Sequence, residues 1–200
     1  MELRLFFIEQ PSPSVLELLD RRIGSLACRQ ESIEGGRRLW ITHIPETSSR
    51  PFLHARPFDI YVKSVRLSRS EIEEFRMGIG IAPVRCMICR SRDDDVASCE
   101  VLFAIVAEVI SICHALLEIP EHVGRKMFHI ASPDDDFDPR LFADFPGTVH
   151  EIAHETEEGD LMTVWLVDAR WIRAFLAAGQ LLLKAQKLGE FSRFSTLDYA

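Results

Sequence analysis

The feature that most constrains the fold is an apolar run over residues 96–119, which directly follows Asp93, Asp94 and Asp95. Acidic residues at the beginning of a helix interact favourably with the helix dipole. A helix that is apolar nearly all round has to be surrounded by other parts of the fold. The pattern therefore predicts a central helix over residues 96–117.

The same run is barely long enough to cross a bilayer. Residues 102–119 supply about 18 residues, which is the minimum for a transmembrane helix. They include Glu108 and His114, and an ionisable group in the middle of a bilayer is costly. We therefore expect a buried helix and no membrane span.

The cysteines and the N-terminal residues both favour a cytoplasmic location. The five cysteines are odd in number and several lie in apolar runs, which favours reduced core thiols over a disulfide framework. Residues 1–8 are apolar but too short for a signal peptide, and no small-residue cleavage site precedes Pro11. We expect no export.

Short apolar or alternating segments elsewhere indicate strands. They occupy residues 3–8, 38–44, 58–67, 84–90 and 161–167, with further possible strands at 125–131 and 181–184. Between them, Ser14 and Ser70 begin capping patterns, with Glu17 and Glu73 three residues later. These patterns predict two further helices.

The overall order of elements predicts an α+β protein with a mixed, mainly antiparallel sheet. Near the C-terminus, Asp168 precedes an amphipathic segment over residues 169–176 that ends at Gly179, which indicates a hairpin followed by a helix. No linker divides the chain. We predict a single domain over residues 1–185 and a polar tail over residues 186–200.

The motif that points most directly to chemistry is His150-Glu151-x-x-His154, the pattern of zinc metallopeptidases. On a helix, the two histidines lie about 6 Å apart along the axis. They could then bind one Zn²⁺, with Glu151 as the general base. On a strand, the same spacing is about 13 Å. Secondary structure therefore decides between a zinc hydrolase and a hairpin.

The neighbouring residues favour the hairpin. Pro146-Gly147 leaves little room for a helix before His150, and no histidine follows His154 as a third ligand. Glu158-Gly159 resembles a two-residue hairpin turn. Such a turn pairs Ile152 with Trp165, His154 with Thr163, and His150 with Val167. We predict no metal or other cofactor, with a zinc hydrolase as the alternative.

A lone Cys86-x-x-Cys89 offers a weaker metal signal. A zinc ribbon needs a second pair of this kind, and the chain has none. Successive residues of a strand point to opposite faces, so these two thiols, three residues apart, are predicted to point to opposite faces. Packing in the core is the favoured interpretation.

Acidic clusters supply the candidate partner surface. Its members are Asp134, Asp135, Asp136, Asp138, Glu155, Glu157 and Glu158. Each cluster can also be explained as a solvated loop or a helix cap. The formal net charge of −8 disfavours nucleic acid as a partner and favours a basic protein.

From residue 79 onward, the order of features resembles a family of small bacterial proteins of unknown function, which in turn resemble immunity proteins of polymorphic toxin systems. The shared features are a strand at 83–89, an acidic turn, an apolar helix, Pro-Gly-Thr-Val-His-Glu-Ile at 146–152, Val-Asp-Ala-Arg-Trp-Ile-Arg-Ala-Phe-Leu at 167–176, and Leu183-Lys184. In that family the segment matching residues 149–155 has no fixed His-Glu-x-x-His. The resemblance implies a non-enzymatic, cytoplasmic protein that binds a cognate basic toxin or effector and occludes its active site.

Overall fold

The computed structural model describes residues 1–42, 54–65, 67–93, 95–127, 138–155 and 161–187. Its elements are β1 Glu2–Phe7, α1 Pro13–Gly24, β2 Arg29–Ile33, β3 Gly36–Ile41, β4 Arg56–Ser64, α2 Arg69–Ile79, β5 Arg85–Ser91, α3 Val96–Ile112, β6 Ala115–Pro120, α4 Glu121–Met127, a 3-10 helix Pro139–Asp144, β7 Val149–Glu155, β8 Leu161–Val167 and α5 Ala169–Lys187. This combination confirms the predicted α+β class.

The eight strands form one sheet in the order β2-β3-β4-β5-β1-β6-β8-β7. Every pair among these strands is antiparallel, so the prediction of a mixed sheet is wrong. Strand β1 lies in the middle, between β5 and β6, while β2 and β7 form the two edges. The C-terminal hairpin of β7 and β8, followed by α5, is as predicted.

One face of the sheet, called the covered face here, carries the larger core. Alternation along β1 directs Leu3, Leu5 and Phe7 to this face, and all three are at most 1% exposed. Helices α1, α3 and α5 contribute to the same cluster of buried side chains. In α5, Trp171 donates a hydrogen bond from Nε1 to the carbonyl oxygen of Phe142, at 2.7 Å, so this buried indole is satisfied.

The other face, called the open face here, has a smaller core. Helix α2 packs here against β7. Phe75 of α2 meets Phe6 of β1 edge to face, with ring centroids 5.1 Å apart. The buried apolar cluster comprises Phe6, Phe75, Cys86, Leu116, Ile152, Val164 and Leu166. The remainder of this face carries charged side chains, because alternate residues of the central strands are Arg, Glu or Asp.

The predicted helix over residues 96–117 is too long. Helix α3 ends at Ile112, and Cys113 has extended backbone angles, φ −121° and ψ 145°. The rest of the apolar run forms β6, where Leu117 pairs with both Leu5 and Val167. The run divides because its second part pairs with β1 on one side and with β8 on the other. Asp95 caps α3, accepting a hydrogen bond from the Ser98 N–H at 2.8 Å.

Two helices begin earlier than predicted. Helix α1 is capped by Ser12 in place of Ser14, with Pro13 at the start of the helix, where its fixed φ is favourable. Helix α2 is capped by Ser68 in place of Ser70, and Glu71 completes a capping box. In both cases the chosen serine is the first of two that are separated by one residue.

Other differences concern short segments. Strand β2 was not predicted. Residues 125–127 are helical, so a strand at 125–131 is wrong as far as the structure describes it, and α5 continues through the predicted stop at Gly179 and the predicted strand at 181–184. The predicted tail over residues 186–200 lies almost wholly outside the described residues. Within the described ranges, no helix has the length and apolar character required to span a bilayer.

Candidate functional site

The His-Glu-x-x-His segment lies on strand β7, at one edge of the sheet. The predicted hairpin is therefore confirmed, but its register is shifted by one residue. His150 pairs with Leu166, Ile152 with Val164, and His154 with Met162. The last pair before the loop is Glu155 with Leu161, so five residues separate the strands where a two-residue turn was predicted. A shift of one residue changes which residues of the two strands share a face of the sheet. Ile152 therefore does not pair with Trp165.

The strand conformation changes what the two histidines can do. Residues four apart on a strand are separated by about 13 Å, compared with about 6 Å on a helix. Ile152 lies between them on the same face of the strand. His150 and His154 therefore lack the spacing with which a metallopeptidase helix binds one zinc ion. Glu151 is exposed and pairs with Trp165 across the hairpin.

Of the acidic residues predicted to form the partner surface, the structure describes Asp138 and Glu155. Asp138 caps the 3-10 helix and binds Arg140, whose Nε lies 3.0 Å from its Oδ1. Hydrogen bonds from the Arg140 side chain and backbone lower the pKa of Asp138. Glu155 ends β7 at the edge of the sheet. The remaining members lie outside the described residues: Asp134, Asp135, Asp136, Glu157 and Glu158.

Cys86 and Cys89 point to opposite faces of β5, as predicted. Cys86 belongs to the open-face cluster and Cys89 to the core of the covered face. Burial raises the pKa of both thiols, that of Cys89 to about 12. Both residues therefore act as small buried side chains. Among the described residues, no group of three or more metal-ligating side chains comes together.

A row of alternating charges, called the charge ladder here, crosses the open face from β3 to β6. Its members are Arg38, Asp59, Arg90, Glu2, Arg4 and Glu118. Arg38 binds Asp59 through two hydrogen bonds, of 2.6 and 3.0 Å. Glu2 accepts from Arg90 Nε at 3.0 Å and from Arg4 Nε at 2.9 Å. The ladder thus neutralises most of its own charge.

Glu118 is the exception at the end of the ladder. It is 6% exposed, and its nearest cationic atom is Arg4 Nη1, at 3.8 Å, which is too far for a hydrogen bond. Burial raises the pKa of Glu118, and the attraction of Arg4 offsets this only in part. Glu2 shows the opposite balance: burial acts to raise its pKa, but the hydrogen bonds from Arg90 and Arg4 outweigh it and lower the pKa.

Glu118 faces a cavity of about 220 Å³ between the sheet and α2. The cavity is lined by apolar side chains from β1, α2, β5, β7 and β8, with Arg4, Lys63, Glu71 and Glu118 as its charged groups. The sequence reasoning missed this site, because its residues come from distant segments. One signal was present: Glu118 is a single acid within a strand-like apolar run, at residues 115–120.

No protein-family model, no curated protein and no solved structure matches this chain.

Proposed function

We propose that the protein is a non-enzymatic binding protein of the toxin-immunity type, which binds a cognate basic bacterial effector and occludes its active site. The proposal is carried by one observation: the strand that contains Glu155 is an edge strand of the sheet. Glu157 and Glu158 follow it in the sequence after Thr156. Of the proposed acidic residues, Glu155 thus lies on an edge strand, where another chain can approach.

An edge strand has backbone N–H and C=O groups along its outer side that a partner's strand can bind. Acidic side chains on and beside the edge would favour a basic partner and disfavour an acidic one. The net charge of −8 would accelerate the encounter with such a partner. Together these features support stoichiometric binding as the mechanism.

Within the proposed surface, the acids are not equivalent. Asp138 is already paired with Arg140, so a partner would have to displace this guanidinium. Asp134, Asp135 and Asp136 complete the proposed surface on the basis of the sequence. We therefore expect Glu155, Glu157 and Glu158 to contribute most.

Co-expression with a toxic effector encoded beside this protein tests the proposed function. We expect growth to be rescued and a one-to-one complex to be isolated by size-exclusion chromatography. The triple variant Glu155→Lys, Glu157→Lys, Glu158→Lys should bind at least about tenfold more weakly, because like charges would face the basic partner. Isothermal titration calorimetry measures this change.

The matched control is the triple variant Glu9→Lys, Glu17→Lys, Glu34→Lys, which changes the net charge equally at exposed positions away from β7. Equal weakening by both triple variants would reject the hairpin surface. Absence of both rescue and a complex would reject the immunity function. Stoichiometric zinc that is lost in His150→Ala would instead favour the zinc hydrolase.

A further inference from the structure

The cavity on the open face is built from two kinds of wall. Its apolar wall includes Phe6, Phe75, Ile152, Val164 and Leu166, and these five are at most 7% exposed. Its polar side is formed by Arg4, Lys63, Glu71 and Glu118. A concave apolar pocket with a few polar groups is the usual form of a small-molecule site.

Three of the four charged groups already have close partners. Glu71 accepts a hydrogen bond from the Ser68 N–H at 2.7 Å, as part of the α2 capping box. Arg4 donates from Nε to Glu2 at 2.9 Å. The Lys63 ammonium lies 4.8 Å from the centre of the Tyr61 ring, within the range of a cation–π interaction.

Glu118 differs from these three groups. Its carboxylate is buried and borders the cavity, and its contact with Arg4, at 3.8 Å, is longer than a hydrogen bond. A carboxylate can accept about four hydrogen bonds, so Glu118 has acceptor capacity on the cavity side. Burying a carboxylate is costly unless it is paired and hydrogen-bonded. A donor with a positive charge is the group that suits it best.

We infer that this cavity is a binding site for a small amphipathic amine, whose ammonium group donates to Glu118 while its apolar body lies against Phe6, Phe75 and Ile152. The positive charge of the ammonium group would lie beside Glu118, at the end of the charge ladder. The carboxylate of Glu118 is 3.8 Å from the Nη1 of Arg4, whereas Asp59 and Glu2 accept direct hydrogen bonds from arginines. The apolar body gains from leaving water at the sheet surface.

The size of the cavity limits the ligand. The volume of the cavity is about 220 Å³. It is smaller than most drug-sized sites, which begin at about 300 Å³. An amine with a single ring or a short alkyl chain therefore fits the class, whereas a peptide or a nucleotide does not. This inference is independent of the toxin-immunity proposal.

The test uses the full chain and two probes of nearly equal shape, 2-phenylethylamine and 2-phenylethanol. Binding is followed by calorimetry and by the methyl NMR signals of Ile152, Val164 and Leu166. We expect the amine to shift these signals and to bind at least about tenfold more tightly than the alcohol, because its ammonium group makes a charge-assisted hydrogen bond to the carboxylate and the hydroxyl group does not.

Glu118→Gln keeps the shape of the side chain and removes its charge. It should reduce affinity for the amine about tenfold or more and leave affinity for the alcohol nearly unchanged. The matched control is Glu100→Gln, since Glu100 is a half-buried acid on α3 that does not line this cavity. Ile152→Phe, which fills the cavity, should abolish binding of both probes.

Four results would overturn the inference: no binding of the amine, equal affinity for amine and alcohol, full affinity in Glu118→Gln, or shifts confined to residues elsewhere. If Ile152→Phe does not fold, Glu118→Gln and the alcohol still decide. Markedly tighter binding of Nα-acetyl-lysine amide than of 2-phenylethylamine would assign the site to a partner's lysine side chain, and would also overturn the assignment to a free small amine.

Discussion

The two faces of the sheet are built from the same strands but differ in composition. On β6, Leu117 points to the covered face and Leu116 and Glu118 to the open face. The covered face meets α1, α3 and α5, and its charged strand residues Arg37 and Arg56 are paired with Asp20 of α1 and with Asp95, the cap of α3. The open face meets α2, and next to its small apolar cluster lie the charge ladder and a cavity. The comparison indicates that most of the buried apolar packing lies on one face.

The largest expected effect comes from truncating neighbouring leucines on opposite faces. Leu117→Ala should reduce the free energy of unfolding by about 3–4 kcal/mol, since Leu117 is fully buried between Leu5 and Val167. Leu116→Ala should cost about 2 kcal/mol, because the thinner packing on the open face can relax. Urea unfolding followed by circular dichroism measures both. Equal costs would remove the proposed distinction between the faces.

A smaller effect on the free energy of unfolding is expected when alanine replaces Gly147, which lies beside the N-terminus of α5, or Gly78, which lies in α2. Gly147 has φ +150°, and a Cβ there would lie 2.5 Å from Trp171 N and 2.7 Å from Asp168 Oδ1. Gly147→Ala should cost about 1–3 kcal/mol through strain at the N-terminus of α5. In α2, Gly78 has open space around it.

Gly78→Ala is therefore the matched substitution, and it should stabilise the protein by about 0.5–1 kcal/mol. Thermal unfolding of both variants, at the same pH, measures the two shifts of the melting temperature in opposite directions. A decrease for Gly78→Ala as large as that for Gly147→Ala would contradict this account of the two positions.

The smallest effect concerns Glu118, and it depends on pH. Burial raises the pKa of this carboxyl in the folded protein, and Glu2 and Glu71 add to the rise while Arg4 opposes it. The neutral form is therefore favoured by folding. Its contribution is complete below the unfolded pKa of about 4.3 and is lost as pH rises through the folded pKa.

Glu118→Gln lacks this titration. The stability of the wild type relative to Glu118→Gln should therefore fall as pH rises above the unfolded pKa of about 4.3, as measured by urea unfolding at several pH values. Glu100→Gln provides the comparison on α3, where burial also raises the pKa. A difference that stays constant with pH for Glu118→Gln would show that its carboxyl has no raised pKa.

The sequence predicted element types better than boundaries. The α+β class, the hairpin and its helix follow from local apolar patterns, and these patterns persist in the structure. The helix caps were displaced because each site has two serines. Ser12 and Ser14 lie in hydrogen-bond contact, as do Ser68 and Ser70. A local pattern cannot distinguish two adjacent capping residues of one type.

Register and the cavity depend on information that is not local. Whether the hairpin loop has an odd or an even number of residues decides which residues of β7 face α2. A loop of five residues therefore directs the opposite set of β7 residues towards α2 from a loop of two. The apolar run after Asp95 divides into α3 and β6 because residues 115–120 pair with β1 and β8, which come from distant parts of the sequence. The cavity joins Arg4, Phe75, Glu118 and Ile152, which no sequence spacing could have brought together.

The central position of β1 has a consequence for the order of folding. Its partners are residues 86–90 on one side and 115–118 on the other, so β1 has no neighbour until residues 86–90 have been synthesised, and it gains its second neighbour only with residues 115–118. Such distant pairing makes folding slow, in the range of milliseconds to seconds. During this interval Leu3, Leu5 and Phe7 remain exposed as an unpaired apolar strand, which is the kind of segment that aggregates. The first residues of the fold are thus placed only after a long stretch of later sequence has been synthesised.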